Sequence, residues 1–225
     1  MPNHPNEQAM IHAWRANATA WADAVRGDKI ASRVAVTNEA IVNAVTTLKP
    51  RSVLDVGCGE GWLARELTKR GADVLGVDAI VDLVEQARAV GGGAFEQHSY
   101  DELAAGSVPR RFDAVVCNFS LFTDHSVERL FGRIPEMLNP GGHCVVQTLH
   151  PITAPGDLPY KDGWRDGFWD GLGEGFLDAP RWYFRTLASW VRLFSCCGLK
   201  IVQIVEPTAQ DGSRPSSLIL VGQKS

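Results

Sequence analysis

The chain has 225 residues, 45% of them hydrophobic, and its 22 basic and 26 acidic side chains leave a formal net charge of −4. A chain of this length forms one domain with elaborations and buries roughly 70% of its unfolded surface, so it needs no disulfide or metal staple. Composition excludes collagen-like, disordered and coiled-coil classes. The acidic balance argues against a general affinity for nucleic acid or anionic membrane, and no apolar run nears the roughly 20 residues of a membrane helix.

The opening, MPNHPNEQAM, lacks the basic region and apolar core of a signal peptide. Residues 1–8 are expected to be a loose tail. From Met10 onward, Trp14, Ala18, Trp21 and Val25 share one face of a helix. Gly27-Asp28 interrupts it, and Asp28 is expected to cap a second helix carrying Ile30, Val34, Ile41, Val45 and Leu48 up to Pro50. The β-branched run at 52–57 reads as a buried strand. The helix after it carries Leu63 and Leu67 and closes at Gly71.

Further strands are predicted at 72–78, 94–98, 112–118 and 143–149, with helices near 80–90 and 126–138. Alternation at this spacing predicts an α/β fold with a doubly wound, mostly parallel sheet. Residues 150–182 carry Pro, Gly and aromatics without periodicity, a long surface excursion of a kind that is usually functional. A helix at 185–197 ends at Gly198. Strands at 199–206 and 216–222 then flank a turn at 209–215, so the last strand should run antiparallel. The five cysteines, at 58, 117, 144, 196 and 197, contain no C-x-x-C. They predict reduced thiols in a cytoplasmic protein, with no zinc site.

Asp55-Val56-Gly57-Cys58-Gly59-Glu60-Gly61 joins a strand end to a helix start. Glycines there allow a tight turn and close backbone approach to a ligand. The spacing is G-x-G-x-G, and Trp62 stands where a dinucleotide loop keeps a small residue, which disfavours a nicotinamide-dependent oxidoreductase. Asp55 and Glu60 put negative charge where a pyrophosphate needs positive partners, so a ligand with a positively charged head suits the loop. Asp78 ends the second strand, at the reach of a carboxylate that grips ribose hydroxyls.

VLDVGCGEGW and GVDAI resemble the first and second motifs of the class I S-adenosylmethionine-dependent methyltransferases of small-molecule type, over about residues 50–150. The resemblance implies a Rossmann-like seven-stranded sheet with an antiparallel last strand, and S-adenosylmethionine as cofactor. Residues 1–49 would be a helical cover, 50–150 the cofactor-binding half and 151–182 an aromatic lid. Residues 183–225 would supply the closing helix and strands of the same single domain. Gly57, Cys58 and Gly59 would pass under the methionyl part, with Asp55 near the ammonium and Asp78 and Ala79 at the ribose.

Where the family usually has an acidic residue facing the adenine amine, this chain has Ser99 followed by Tyr100. Tyr100 would lie on the purine or serve as a buried structural tyrosine. Asn118-Phe119-Ser120-Leu121 departs from the signature of enzymes that methylate amino groups on bases or glutamine, leaving Asn118 as a wall of the cofactor site. Arg33 would reach the cofactor carboxylate, unless it is a solvated surface arginine.

Methyl transfer requires alignment, exclusion of water and, for a hydroxyl acceptor, a proton acceptor. His150, leaving the sheet at Leu149-His150-Pro151, is the candidate general base, or else a structural histidine at a strand end. Asp124-His125 is a second pair, or a helix cap. Ten of the 19 aromatic residues lie at 160–194. They form a substrate wall, a packed core or a dimer contact. Trp164, Tyr183 and Arg185 are the substrate candidates, and Trp190 and Phe194, spaced i, i+4, are assigned to the core. Trp14, Trp21 and Trp62 are assigned to helix packing. The expected activity is O- or N-methylation of a small organic molecule by a monomer or homodimer. A catalytically idle cofactor-binding regulatory module, or a methyltransferase acting on tRNA or a protein side chain, are the alternatives.

Overall fold

In the computed structural model, which describes residues 5–209, 212 and 214–224, the parallel strands are β1 (Ser52–Val56), β2 (Asp73–Asp78), β3 (Ala94–Gln97), β4 (Phe112–Asn118) and β5 (Leu138–Thr148). Two more, β8 (Leu199–Val205) and β9 (Leu218–Lys224), complete a seven-stranded sheet ordered β3-β2-β1-β4-β5-β9-β8. β9 runs antiparallel to both of its neighbours, β5 and β8. The strand order reverses between β1 and β4, and ligands of open α/β sheets bind at the carboxyl ends of the strands beside such a switch point.

Alternation along the strands builds two cores. Leu54, Leu75, Val115 and Val146 face α6 (Tyr100–Ala104), α7 (His125–Met137) and α8 (Leu187–Cys196), where Leu103, Phe131, Trp190 and Phe194 are buried. Val53, Val74, Ala114 and Val145 face the opposite layer of α3 (Asn38–Thr47), α4 (Trp62–Thr68) and α5 (Val81–Val90). Trp190 and Phe194 are core residues, packed around Phe131.

The N-terminal segment differs from expectation. Helix α1 (Pro5–Ala16) begins inside the expected tail, and Asn17 separates it from α2 (Ala18–Arg26). Asp28 does not cap the following helix: it sits in the turn at φ 51°, and that helix opens with a π-helical turn, Arg33–Thr37, before α3. α6 was not expected from periodicity; Ser99 and Glu102 form a capping box that starts it. The aromatic excursion contains a short antiparallel pair, β6 (Gly163–Arg165) with β7 (Trp182–Phe184). Its Leu172 and Phe176 pack on Ala24, Val25 and Ile30. Gln210, Asp211 and Ser213 of the expected turn lie outside the described residues. Among the described residues no helix is long and apolar enough to cross a membrane, and no cluster of His, Cys, Asp and Glu is placed to hold a metal ion.

Candidate functional site

The glycine loop leaves β1 with Gly57 and Gly59 at φ 73° and 56°, conformations that favour glycine. A Cβ on Gly57 would fall 2.3 Å from the Ser120 Cβ, and one on Gly59 would lie 3.1 Å from the Trp21 Nε1. Asp78 at the end of β2 holds the loop in place. Its Oδ2 accepts from the Gly59 N–H at 2.9 Å, and its Oδ1 accepts from the Ile80 N–H at 2.9 Å. A cavity of about 510 Å³ opens over these strand ends, bordered by Asp55, Gly57, Asp78, Ser99, Tyr100 and Asn118. Cys58, Gly59, Ala79 and Arg33 border it as well, so all ten candidate cofactor residues face one space.

The electrostatics of that space are incomplete without a ligand. Asp55 is buried, and its Oδ2 has no hydrogen-bond partner among the described residues. Burial, and then the neighbouring Asp78, push its carboxyl up to about 7. Arg33 is buried rather than solvated, stacked between Trp21 at 5.6 Å and Trp62 at 5.1 Å. Desolvation lowers its guanidinium to about 10, against the attraction of the nearby Glu60, Asp28 and Asp55 carboxylates. The Asn118 Oδ1 is also buried without a partner among the described residues. The Asp55 carboxylate and the Arg33 guanidinium, both buried beside one cavity, complement a zwitterionic amino acid head. The glycine cradle and Asp78 suit a nucleoside, so the residues present fit the expected cofactor.

Other expectations need correction. Glu60 is not available to a positive ligand, because it pairs with Arg26 at 2.9 Å and Arg65 at 2.6 Å. Ser99 acts as a helix cap, donating to Glu102 and accepting from its N–H. Tyr100 donates to the Ser120 carbonyl at 2.6 Å and packs against the core while also bordering the cavity. His150 borders neither this cavity nor its neighbour. Its Nδ1 accepts from the Ile152 N–H at 3.3 Å, which leaves Nε2 to donate to Glu206 at 2.8 Å. With both ring nitrogens engaged in holding the strand end, the geometry does not support it as general base.

Trp164, Tyr183 and Arg185 also stand outside both cavities. Arg185 is buried, donating to the carbonyls of Thr123 at 2.6 Å and Asp124 at 2.8 Å, and it stacks on Tyr183. Trp164 packs edge-on against Tyr183 and donates to Asp124. The three form a brace for the loop after β4. The Asp124 carboxylate is part of that brace, and neither it nor His125 reaches the cavities.

A second cavity of about 170 Å³ adjoins the first. Met10, Trp14, Trp21, Arg33, Phe119 and Phe122 border both. The aromatic excursion supplies its far wall through Phe168, Trp169, Leu172 and Trp182. Trp14 and Trp21, assigned to packing, therefore face both spaces. Their seven-residue spacing carried that information, because it put them on one helix face. Phe119 holds φ 50°, a costly conformation for a bulky residue and one that clusters at functional sites. Its position just past β4 was the available signal.

Residues 31–204 match the family described as Methyltransferase domain. A ubiquinone biosynthesis O-methyltransferase of Alkalilimnicola ehrlichii is 35% identical over 108 residues, 46% of this chain and 43% of that protein. The chain thus spans less than half the length of this relative. An uncharacterized methyltransferase of Mycobacterium bovis is 31% identical over 127 residues, 56% of this chain and 64% of that one. Among solved structures, an S-adenosylmethionine dependent methyltransferase from Mesorhizobium loti superposes with a TM-score of 0.62 at 26% identity, covering 81% of this chain and 98% of that one.

Proposed function

This chain belongs to the class I S-adenosylmethionine-dependent methyltransferases, and from that membership we propose that it methylates an oxygen or nitrogen atom of a small organic acceptor. The observation that carries the reading is the joining of the two cavities across Trp14, Trp21, Arg33 and Phe122. One space has the charges for the cofactor, and the other is apolar and sized for a small molecule. The O-methyltransferase name of a relative supports oxygen as the acceptor atom.

Asp55 would hold the cofactor's ammonium, Arg33 its carboxylate and Asp78 the ribose hydroxyls. Gly57 and Gly59 let the backbone come close enough for those contacts. When bound, S-adenosylmethionine supplies a methyl group on a sulfonium, already activated for displacement. The chain's own task is to align the acceptor and exclude water, which is where orientation gains most of its rate advantage. Trp21, Phe119 and Phe122 do this by walling the junction with apolar surface. The five free cysteines support a reducing, cytoplasmic location.

Thermal stability measured with S-adenosylhomocysteine and with NAD tests the central claim. Stabilisation by the former alone is expected. Stabilisation by NAD alone overturns it.

A further inference from the structure

Met10, Trp14, Trp21, Arg33, Phe119 and Phe122 border both cavities, so a methyl group passing from one to the other crosses this ring of side chains. One of the six is charged, and it is a cation. Arg33 keeps 9% of its surface accessible, while Trp21 and Trp62 cover it at 5.6 and 5.1 Å. Burial lowers its guanidinium only to about 10, so at neutral pH it donates hydrogen bonds and cannot take a proton. Of the three carboxylates that attract it, Glu60 is neutralised by Arg26 and Arg65, Asp28 is exposed to water, and Asp55 is mostly protonated below about pH 7. The junction is left with a net positive charge.

A base is missing there among the described residues. The second cavity has one carboxylate, Asp170, and it is exposed. His12 borders the larger cavity alone and is exposed as well. Glu7, also on the larger cavity, accepts from the Ser126 N–H and Oγ at 3.1 and 3.0 Å, and Asp101 pairs with Arg129 at 2.7 Å. A hydroxyl acceptor that keeps its proton would therefore find no group at the junction to receive it. An amine would end the transfer as an ammonium beside a like charge.

We infer that the acceptor binds as an oxyanion, a phenolate or a carboxylate, held by Arg33, and that no base on the chain takes its proton. The proton leaves to water before binding. The oxygen then forms its bond to the methyl carbon with its own electron pair, and the carbon–sulfur bond breaks toward sulfur. An anion and a sulfonium become two neutral groups, an ether or ester and a thioether. The five N–H donors of a guanidinium suffice for the cofactor's carboxylate and for a second oxygen. The inference rests on the methyltransferase reading for the word acceptor, but the anion site stands on Arg33 and its surroundings.

The absorbance of 4-nitrophenol, whose anion is yellow, tests this, with its methyl ether 4-nitroanisole as the control that cannot ionise. Both are titrated at about pH 6, where Asp55 is mostly protonated, into the protein alone and into the protein saturated with S-adenosylhomocysteine. The ratio of anion to phenol in the bound dye should stand about tenfold above that of the free dye in both states. Arg33→Met, which keeps the stem without the charge, should remove that excess and bind 4-nitroanisole as the wild type does. Arg33→Lys should keep the excess. No binding of 4-nitrophenol, a ratio no higher than the free dye's, displacement of the dye by S-adenosylhomocysteine, or an excess that survives in Arg33→Met overturns the proposal. If Arg33→Met fails to bind 4-nitroanisole, Arg33→Lys decides, and a return of its ratio to the free value overturns the proposal. Failure to bind S-adenosylhomocysteine, with the excess intact on the protein alone, counts against the methyltransferase reading instead and leaves the anion site standing.

Discussion

Asn17 and Leu177, 160 positions apart, exchange two hydrogen bonds. The Asn17 Nδ2 donates to the Leu177 carbonyl at 2.9 Å, and the Leu177 N–H donates to the Asn17 Oδ1 at 2.6 Å. The pair joins the elbow between α1 and α2 to the aromatic excursion, beside the Trp14–Trp169 edge contact at 5.4 Å. The second cavity is therefore walled by two distant chain segments, the N-terminal helices and the aromatic excursion.

Asn17→Ala removes that clasp and leaves the Leu177 N–H unpaired, while the Leu177 carbonyl keeps the Trp169 Nε1 donor at 2.8 Å. A loss of about 2 kcal/mol, or roughly 4–8 °C in Tm, is expected. Hydrogen exchange should rise across 166–180 while the central sheet stays protected. Unchanged exchange there would mean that the aromatic contacts alone hold the excursion.

Asp55 makes the ligand-free protein pH-sensitive. Its folded pKa, raised to about 7 from 3.8, means that the folded state binds the extra proton between those values. The contribution is fully present below the unfolded pKa and is lost as pH rises to about 7. Asp55→Asn should therefore raise the ligand-free Tm at pH 8 by several degrees, roughly 2–4 °C per kcal/mol, and much less at pH 4. Wild-type affinity for S-adenosylhomocysteine should improve roughly tenfold from pH 6 to pH 8, as the carboxylate that meets the ammonium ionises. A flat affinity profile in calorimetry would remove Asp55 from that contact.

For Asp78, replacement by Ala frees the Gly59 and Ile80 amides as well as the expected ribose contact. Binding of S-adenosylhomocysteine should weaken by more than about tenfold, a loss of roughly 1.4 kcal/mol or more. Equal affinities for wild type and variant would end the ribose assignment.

His150 is placed to hold a strand end, and His150→Gln should behave accordingly. About 1 kcal/mol of stability is lost, some 2–4 °C, while turnover is unchanged. A large fall in turnover at constant Tm would restore the histidine to the chemistry.

The cofactor half was legible because its determinants are local. Glycine at Gly57 and Gly59 is written into the backbone geometry, and Asp78 reaches them from the adjacent strand end in parallel register. The half around the second cavity was not. Trp164, Tyr183 and Arg185 stand near Trp182 in sequence and share its composition, yet they face the loop after β4. Nothing in an aperiodic segment says which way a ring points. His150 has a suitable side chain at a suitable strand end, and only Glu206 and the Ile152 amide reveal that both its nitrogens are spent.

The sequence by itself determined the alternation of elements, the glycine loop with its carboxylates, and hence the family and the cofactor, because each depends on residues near one another or on strand-end position. The tertiary structure alone decided which aromatics wall the second cavity, that Arg33 is buried between Trp21 and Trp62, and that Asn17 clasps Leu177. Those contacts join chain segments far apart in sequence, and their partners are chosen by packing rather than by any local preference of the backbone.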